Sequence, residues 1–204
     1  KLGIQRGVSL HEAKRICPGL VVLPSDYETY SLFSRRMFNV IRRFTPQVEE
    51  YSIDEAFADL TGMRRALRAS YESISLKIRM EIARELGITV SAGLSLTKVL
   101  AKVASKHRKP MGFTVIPGRA IAAYLETLPV EKIWGVGPAT TDYLAKMGVR
   151  TALEFARLSE KTVRERFTKP GVEIWQELRG ESVYPVLPEE KSVYTSISKT
   201  KTFA

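Results

Sequence analysis

Thiol and imidazole chemistry have little to work with in this sequence, which holds one cysteine, Cys17, and two histidines, His11 and His107, among 204 residues. A single cysteine excludes an intrachain disulfide and any thiolate-rich zinc site, and Cys17, set in Arg15-Ile16-Cys17-Pro18, reads as a small core residue. Two histidines give little support to His-based catalysis or zinc binding. No apolar run approaches the ~20 residues that span a bilayer, and Lys1-Leu2-Gly3 opens neither a signal peptide nor a transit sequence. The expected compartment is therefore the cytoplasm, with no membrane partner. Acids are also scarce: 22 Asp and Glu stand against 32 Lys and Arg, a formal charge of +10. That excess favours a polyanionic partner, because each phosphate neutralised releases condensed counterions. Nucleic acid is preferred over an anionic membrane, since no basic amphipathic helix with an aromatic face stands out.

With 44% apolar residues the chain has ample material for a core. Its most unusual stretch is Val48-Glu49-Glu50-Tyr51-Ser52-Ile53-Asp54-Glu55-Ala56-Phe57-Ala58-Asp59-Leu60, two adjacent acids inside a strand-like run. At period two, Tyr51, Ile53 and Phe57 share an apolar face, while Ser52, Asp54, Ala56 and Ala58 share a face of small residues that something bulky could approach. In one continuous strand Asp54 and Glu55 would point to opposite sides, so convergence requires a turn at that pair, and a hairpin with its tip at Asp54-Glu55 is expected. Converging carboxylates repel unless a divalent cation keeps both ionised. From these residues alone, a magnesium site and a solvated acidic turn both remain open.

Along the chain, a short helix is predicted over 10–16, closed by Pro18-Gly19, then an apolar strand over 20–23. Ser25 and Glu28 have capping-box spacing ahead of a long helix carrying Tyr30, Phe33, Met37, Val40, Ile41 and Phe44, with Arg35, Arg36, Arg42 and Arg43 on its solvated face. A second long helix is predicted over 65–86 with Gly87 after it, then a strand over 88–92. Ser95 is expected to cap a helix over 96–106, with Leu100, Val103 and Ala104 inward and Lys98, Lys102 and Lys106 on a solvated outer face. A strand over 113–116 and a helix over 119–125 complete a first block, read as an α+β sheet with helices on one face. Beyond Leu128-Pro129 no strand is expected. A helix-hairpin-helix is predicted instead, from Val130 through Gly135-Val136-Gly137 to a helix begun by Pro138 and followed by Gly148. Glycines let such a hairpin turn, and amides opening its second helix can face an anion. Close helix packing would explain the same glycines. Gly171-Val172 before a helix over 174–179 reads as a weaker second copy. An extended linker over 181–192 and a strand over 196–203 end the chain.

Three of these stretches resemble one family, the Y-family translesion DNA polymerases, and most of all its DinB (DNA polymerase IV) branch. Tyr51-Ser52-Ile53-Asp54-Glu55-Ala56-Phe57 resembles the acidic motif of the palm domain. The run from Ser91 to Ser105, continued by Lys109-Pro110-Met111-Gly112, resembles the second palm signature, with Thr97 where the family more often has asparagine. Leu128-Pro129-Val130 through Trp134-Gly135-Val136-Gly137 resembles the helix-hairpin-helix of the thumb. The resemblance implies a palm with a mixed or antiparallel sheet followed by an all-α thumb. Its divisions fall at 1–24 (end of the fingers), 25–127 (palm), 128–181 (thumb) and 182–204 (linker and first strand of the little finger). It also implies template-dependent nucleotidyl transfer in translesion synthesis with two Mg2+ ions, Asp54 bridging both and Glu55 completing the ion near the primer hydroxyl. Lys109 matches the lysine that reaches the incoming deoxynucleoside triphosphate. Gly135, Val136, Gly137 and Ala139 would hold the backbone of primer-template DNA, and a sliding clamp would bind through C-terminal parts beyond this chain.

By the same comparison the family's first metal aspartate and steric gate precede Lys1, so the chain is expected to be a fragment that extends a primer poorly. Two rival readings follow the same residues. One is a catalytically inactive, polymerase-like DNA-binding accessory protein. The other is a helix-hairpin-helix module of a nuclease or glycosylase, for which Asp142 is the only acid near the hairpin.

Overall fold

The computed structural model describes residues 3–5 and 7–188; the strand expected over 196–203 and the end of the linker lie outside them. Helix α1 (Leu10–Ile16) has the predicted bounds and is capped by Ser9. Residues 20–25 form no strand: Val21 and Leu23 are 78% and 79% exposed and no described strand pairs with them. Helix α2 (Tyr27–Arg42) is capped by Asp26, which accepts from the Thr29 amide at 3.0 Å, in place of the expected Ser25. It buries Met37, Phe38, Val40 and Ile41. On its solvated side Arg42 pairs with Glu50 and Arg43 with Glu85, surface contacts of small energetic weight.

Strands β1 (Val48–Ser52) and β2 (Glu55–Ala58) form the expected antiparallel hairpin. The single helix predicted over 65–86 is two: α3 (Met63–Leu67) ends where Arg68 turns left-handed at φ 47°, and Ser70 caps α4 (Tyr71–Leu86). A serine able to cap outweighs continuous apolar periodicity. The strand expected over 88–92 is displaced to β3 (Ala92–Leu94), which pairs in parallel with β4 (Phe113–Val115). Between them runs α5 (Lys98–His107), capped by Thr97 rather than Ser95. Thr97 is 4% exposed; its hydroxyl accepts from the Leu100 amide and donates to the Glu177 carbonyl at 2.9 Å.

Gly93 is where β3 meets this helix. A Cβ there would lie 2.1 Å from the Ala101 carbonyl oxygen and 2.4 Å from the Ser105 nitrogen, both backbone atoms that cannot swing away. Gly93→Ala is expected to cost about 2–3 kcal/mol, the upper range for overpacking, read as a lower midpoint in urea unfolding at unchanged slope.

Helix α6 (Ile121–Glu126) follows a 3-10 turn at Gly118–Ala120. The chain then becomes helical, and the only pairing beyond it among the described residues is an isolated bridge between Pro129 and Thr151. A 3-10 turn at Val130–Lys132 replaces the first helix expected of the hairpin. Then come α7 (Pro138–Lys146), α8 (Ala152–Ala156), α9 (Glu160–Arg166) and α10 (Lys169–Leu178). Gly171 sits inside α10 rather than ahead of it, so no second hairpin begins there. The architecture is the expected α+β one. Among the described residues it carries two small sheets, one antiparallel and one parallel, where a mixed or antiparallel sheet was expected.

Met37, Phe38, Val40, Ile41, Val48 and Ile82 form one core cluster. Another runs from Val99 and Leu100 of α5 through Leu125, Leu144 and Phe155 to Trp175 and Leu178, so α5 is packed from both sides. No described helix is long and apolar enough to cross a membrane.

Candidate active site

At the hairpin tip the turn is Ile53-Asp54, one residue earlier than expected, and Ser52 faces Glu55 across it. The register slips between Glu50 and Ser52, which leaves Tyr51 as the extra residue of a bulge. Asp54 takes a hydrogen bond from the Ser52 hydroxyl at 2.9 Å. Both acids nevertheless line one cleft of about 500 Å³, opening between the two sheets. Its small-residue wall includes Ala56, Ala58, Ala92 and Gly93, and Lys109 and Arg79 reach it from the far side. Arg79 is fixed there by donating to the carbonyls of Val90, at 3.2 Å, and Met111.

Lys98 and Lys102 are not on a solvated face. Lys98 Nζ lies 2.6 Å from Glu49 Oε2 with its side chain 10% exposed, and Lys102 Nζ lies 2.5 Å from Glu55 Oε2 with its side chain 9% exposed. The physical reason is the hairpin laid across α5: its carboxylates need cations, and two lysines one turn apart supply them. Lys106, a further turn on, is exposed as expected.

The predicted backbone-gripping residues lie in the loop that leads into α7. Gly135 has φ +90°, a conformation that favours glycine, and a Cβ on it would also crowd the tip of the Ile174 side chain at 2.7 Å. The Val136 amide is already used, donating to the Ile133 carbonyl at 3.2 Å. Gly137 is the N-cap of α7, no side chain caps that helix, and Ala139 belongs to the first turn, whose amides have no intrahelical acceptor. Gly137, Ala139 and Thr140 thus keep amides that no protein carbonyl accepts among the described residues.

Residues 1–106 match the impB/mucB/samB family, and that is more than half of the chain. The chain belongs to that family. Residues 119–149 match the family's HHH motif, which spans the Gly135-Val136-Gly137 loop and α7. DNA polymerase IV of Desulfatibacillum aliphaticivorans is 37% identical over 187 residues, 92% of this chain and 47% of that protein. The crystal structure of DinB from Sulfolobus solfataricus superposes with a TM-score of 0.76 at 26% identity, over 91% of this chain and 55% of that one. An insertion ternary complex of Dbh DNA polymerase gives a TM-score of 0.79 at 25% identity, over 91% and 54%. The Y-family, DinB-type resemblance of the three motifs is borne out. The chain spans about half the length of the curated relatives it matches, 47% and 51% of two of them.

Two further side chains, to which the sequence assigns no role of their own, brace the elements that carry the acids and lysines. Trp134 stacks edge-on to Tyr51 at 5.3 Å and lies 5.5 Å from Phe57, joining the HHH segment to the acidic hairpin. Glu177 of α10 is fully buried; it accepts from the amides of Val99, Val183 and Tyr184 at 3.0, 2.8 and 2.9 Å. A tryptophan immediately before the Gly135 turn was the available signal for the first. For Glu177 the sequence offered none.

Proposed function

We propose that this chain carries the acidic hairpin and the duplex-gripping segment of a DNA-directed DNA polymerase that acts in translesion synthesis. The observation that carries the reading is the meeting of Asp54, Glu55 and Lys109 around one cleft, although Lys109 is distant from both in sequence. The carboxylates supply hard oxygen donors, the class that magnesium prefers. Glu55 is shared with the Lys102 ammonium, whereas Asp54 is held only by the Ser52 hydroxyl among the described residues. Among the described residues no third His, Cys, Asp or Glu completes a cluster, so Asp54 and Glu55 fit magnesium as part of a ligand set rather than as an enclosing cage.

Magnesium bound there would supply charge stabilisation on a triphosphate and a more acidic primer hydroxyl. Asp54 would hold it from the turn, kept in place by the Ser52 hydroxyl, and Glu55 from the first position of β2. Lys109, exposed at the cleft edge, would draw the anionic triphosphate toward the pair. Gly137 and Ala139 amides would take a backbone phosphate of the primer-template duplex, which positions the duplex without reading sequence. In this reading residues 25–127 are the palm and 128–181 the thumb, the location is cytoplasmic, and a sliding clamp is engaged through C-terminal parts. The relatives are named as polymerases, so the inactive accessory reading gains no support.

Retention of a fluorescent deoxynucleoside triphosphate tests this. Binding to purified chain should require Mg2+, disappear with EDTA and with Asp54→Ala, and weaken about tenfold in Lys109→Ala, the loss of one charge-assisted contact. Retention that survives both EDTA and Asp54→Ala would contradict it. Binding of a labelled primer-template duplex should fall steeply between low and moderate salt, as for any phosphate-dominated contact, and be followed by anisotropy.

A further inference from the structure

Lys102 is the least expected lysine in the protein. Its ammonium lies 4.8 Å from the Tyr51 ring centroid, 6.0 Å from Phe57 and 5.9 Å from Trp134, a box with three aromatic walls. The walls brace one another, with ring centroids 5.3 to 5.5 Å apart. Two walls come from the hairpin and the third from the loop before α7, so the ammonium is held by both parts of the chain at once. An ammonium withdrawn from water in this way is costly. It is offset by the ring quadrupoles and by the Glu55 carboxylate at 2.5 Å. Neighbouring Lys98 cannot take its place, being committed to Glu49 at 2.6 Å and to the Pro185 carbonyl at 3.3 Å. Among the described residues Asp54 has no such cation and is bonded by the Ser52 hydroxyl.

We propose that Lys102 is a positioning residue for Glu55: fixed in its aromatic box, the ammonium holds that carboxylate at the cleft and competes with a divalent cation for it. This rests on the cation site proposed above. The consequence is an asymmetric pair, in which Asp54 is open to an ion and Glu55 must first be shared or released by Lys102. A neutral side chain at position 102 therefore tightens divalent binding while leaving the carboxylate less well oriented. A lysine with a purely structural role would do the opposite, since its loss could only loosen the hairpin.

The test is a Mn2+ titration of the isotopically labelled chain, following paramagnetic broadening of backbone amide signals. Broadening should begin at Asp54 and Glu55. In Lys102→Met the midpoint should fall by about threefold or more, the effect of removing one nearby charge at near-surface dielectric. Lys102→Arg, which keeps the charge, should leave the midpoint where it was. Lys102→Gln serves as a second neutral variant, and dispersion of the amide spectrum reports whether each variant is folded. An unchanged or raised midpoint in a folded neutral variant overturns the role of Lys102 while leaving the cation site standing. Broadening in the unaltered chain that is not centred on Asp54 and Glu55, or that persists in Asp54→Asn, overturns the cation site and the proposal with it.

Discussion

Glu177→Ala should destabilise the protein by about 4 kcal/mol or more, among the largest effects of any single side chain here. Glu177 is fully buried, and both of its carboxyl oxygens are in use. Oε2 accepts from the Val99 amide in the first turn of α5, and Oε1 accepts from the amides of Val183 and Tyr184 after α10. Truncation leaves the buried Val99 amide and the part-buried amides of Val183 and Tyr184 without their acceptor, and each such orphan costs roughly 1–3 kcal/mol. The loss would be seen in urea unfolding as a lower midpoint. Glu177→Gln should fall between the two, because its amide oxygen still accepts while its NH2 meets other donors. Because Glu177 ties α10 and the following segment to α5, the same variant should loosen Lys98 and Lys102 on α5, although it touches neither. A Glu177→Ala protein with unaltered unfolding would remove that tie from the account.

The second large effect is expected at the hairpin tip. Replacing Asp54 and Glu55 together by Asn and Gln keeps size and hydrogen-bonding capacity but removes both negative charges from the cleft. Coulomb attraction for a doubly charged ion disappears with them, so divalent binding should fall by at least about a hundredfold, which is effectively abolished. The fold should be little affected, since Asp54 sits in an exposed turn and only its Ser52 contact is altered. Lys102 is the exception. With Gln at 55 its ammonium keeps the ring faces and a neutral amide oxygen but loses the carboxylate charge, so a modest loss of stability, of about 1–3 kcal/mol, accompanies the loss of binding.

Local patterns made much of this fold legible. The first helix, the run of Met37, Val40 and Ile41 on α2, the hairpin and the Pro138 start of α7 all follow from signals within a few residues. Errors arose where a local signal lacked its partner. Val21-Val22-Leu23 has strand composition but no strand beside it, and the 88–92 run yields to 92–94 because β4 pairs only there. Periodicity carried the second long helix across Arg68, where the backbone turns left-handed.

The site divides along the same line. Asp54, Glu55 and Lys109, the residues of the proposed site, sit in recognisable motifs. Lys98 and Lys102 were misplaced because a helical wheel shows only a helix's own faces. What turns these lysines inward is a pair of carboxylates some fifty residues upstream, Glu49 lying 49 positions before Lys98. The requirement was visible, since acids inside a strand call for a cation, but its source was not. Glu177 was out of reach altogether, because its partner amide at Val99 lies 78 positions away.

The most direct test of the central claim, that Asp54 and Glu55 form a divalent cation site, is a count of bound Mn2+ by electron paramagnetic resonance. The unaltered chain should show saturable binding that tightens when a deoxynucleoside triphosphate is added, and the Asp54→Asn, Glu55→Gln variant should show neither. Equal binding by the two proteins, with the same response to nucleotide, would contradict the claim.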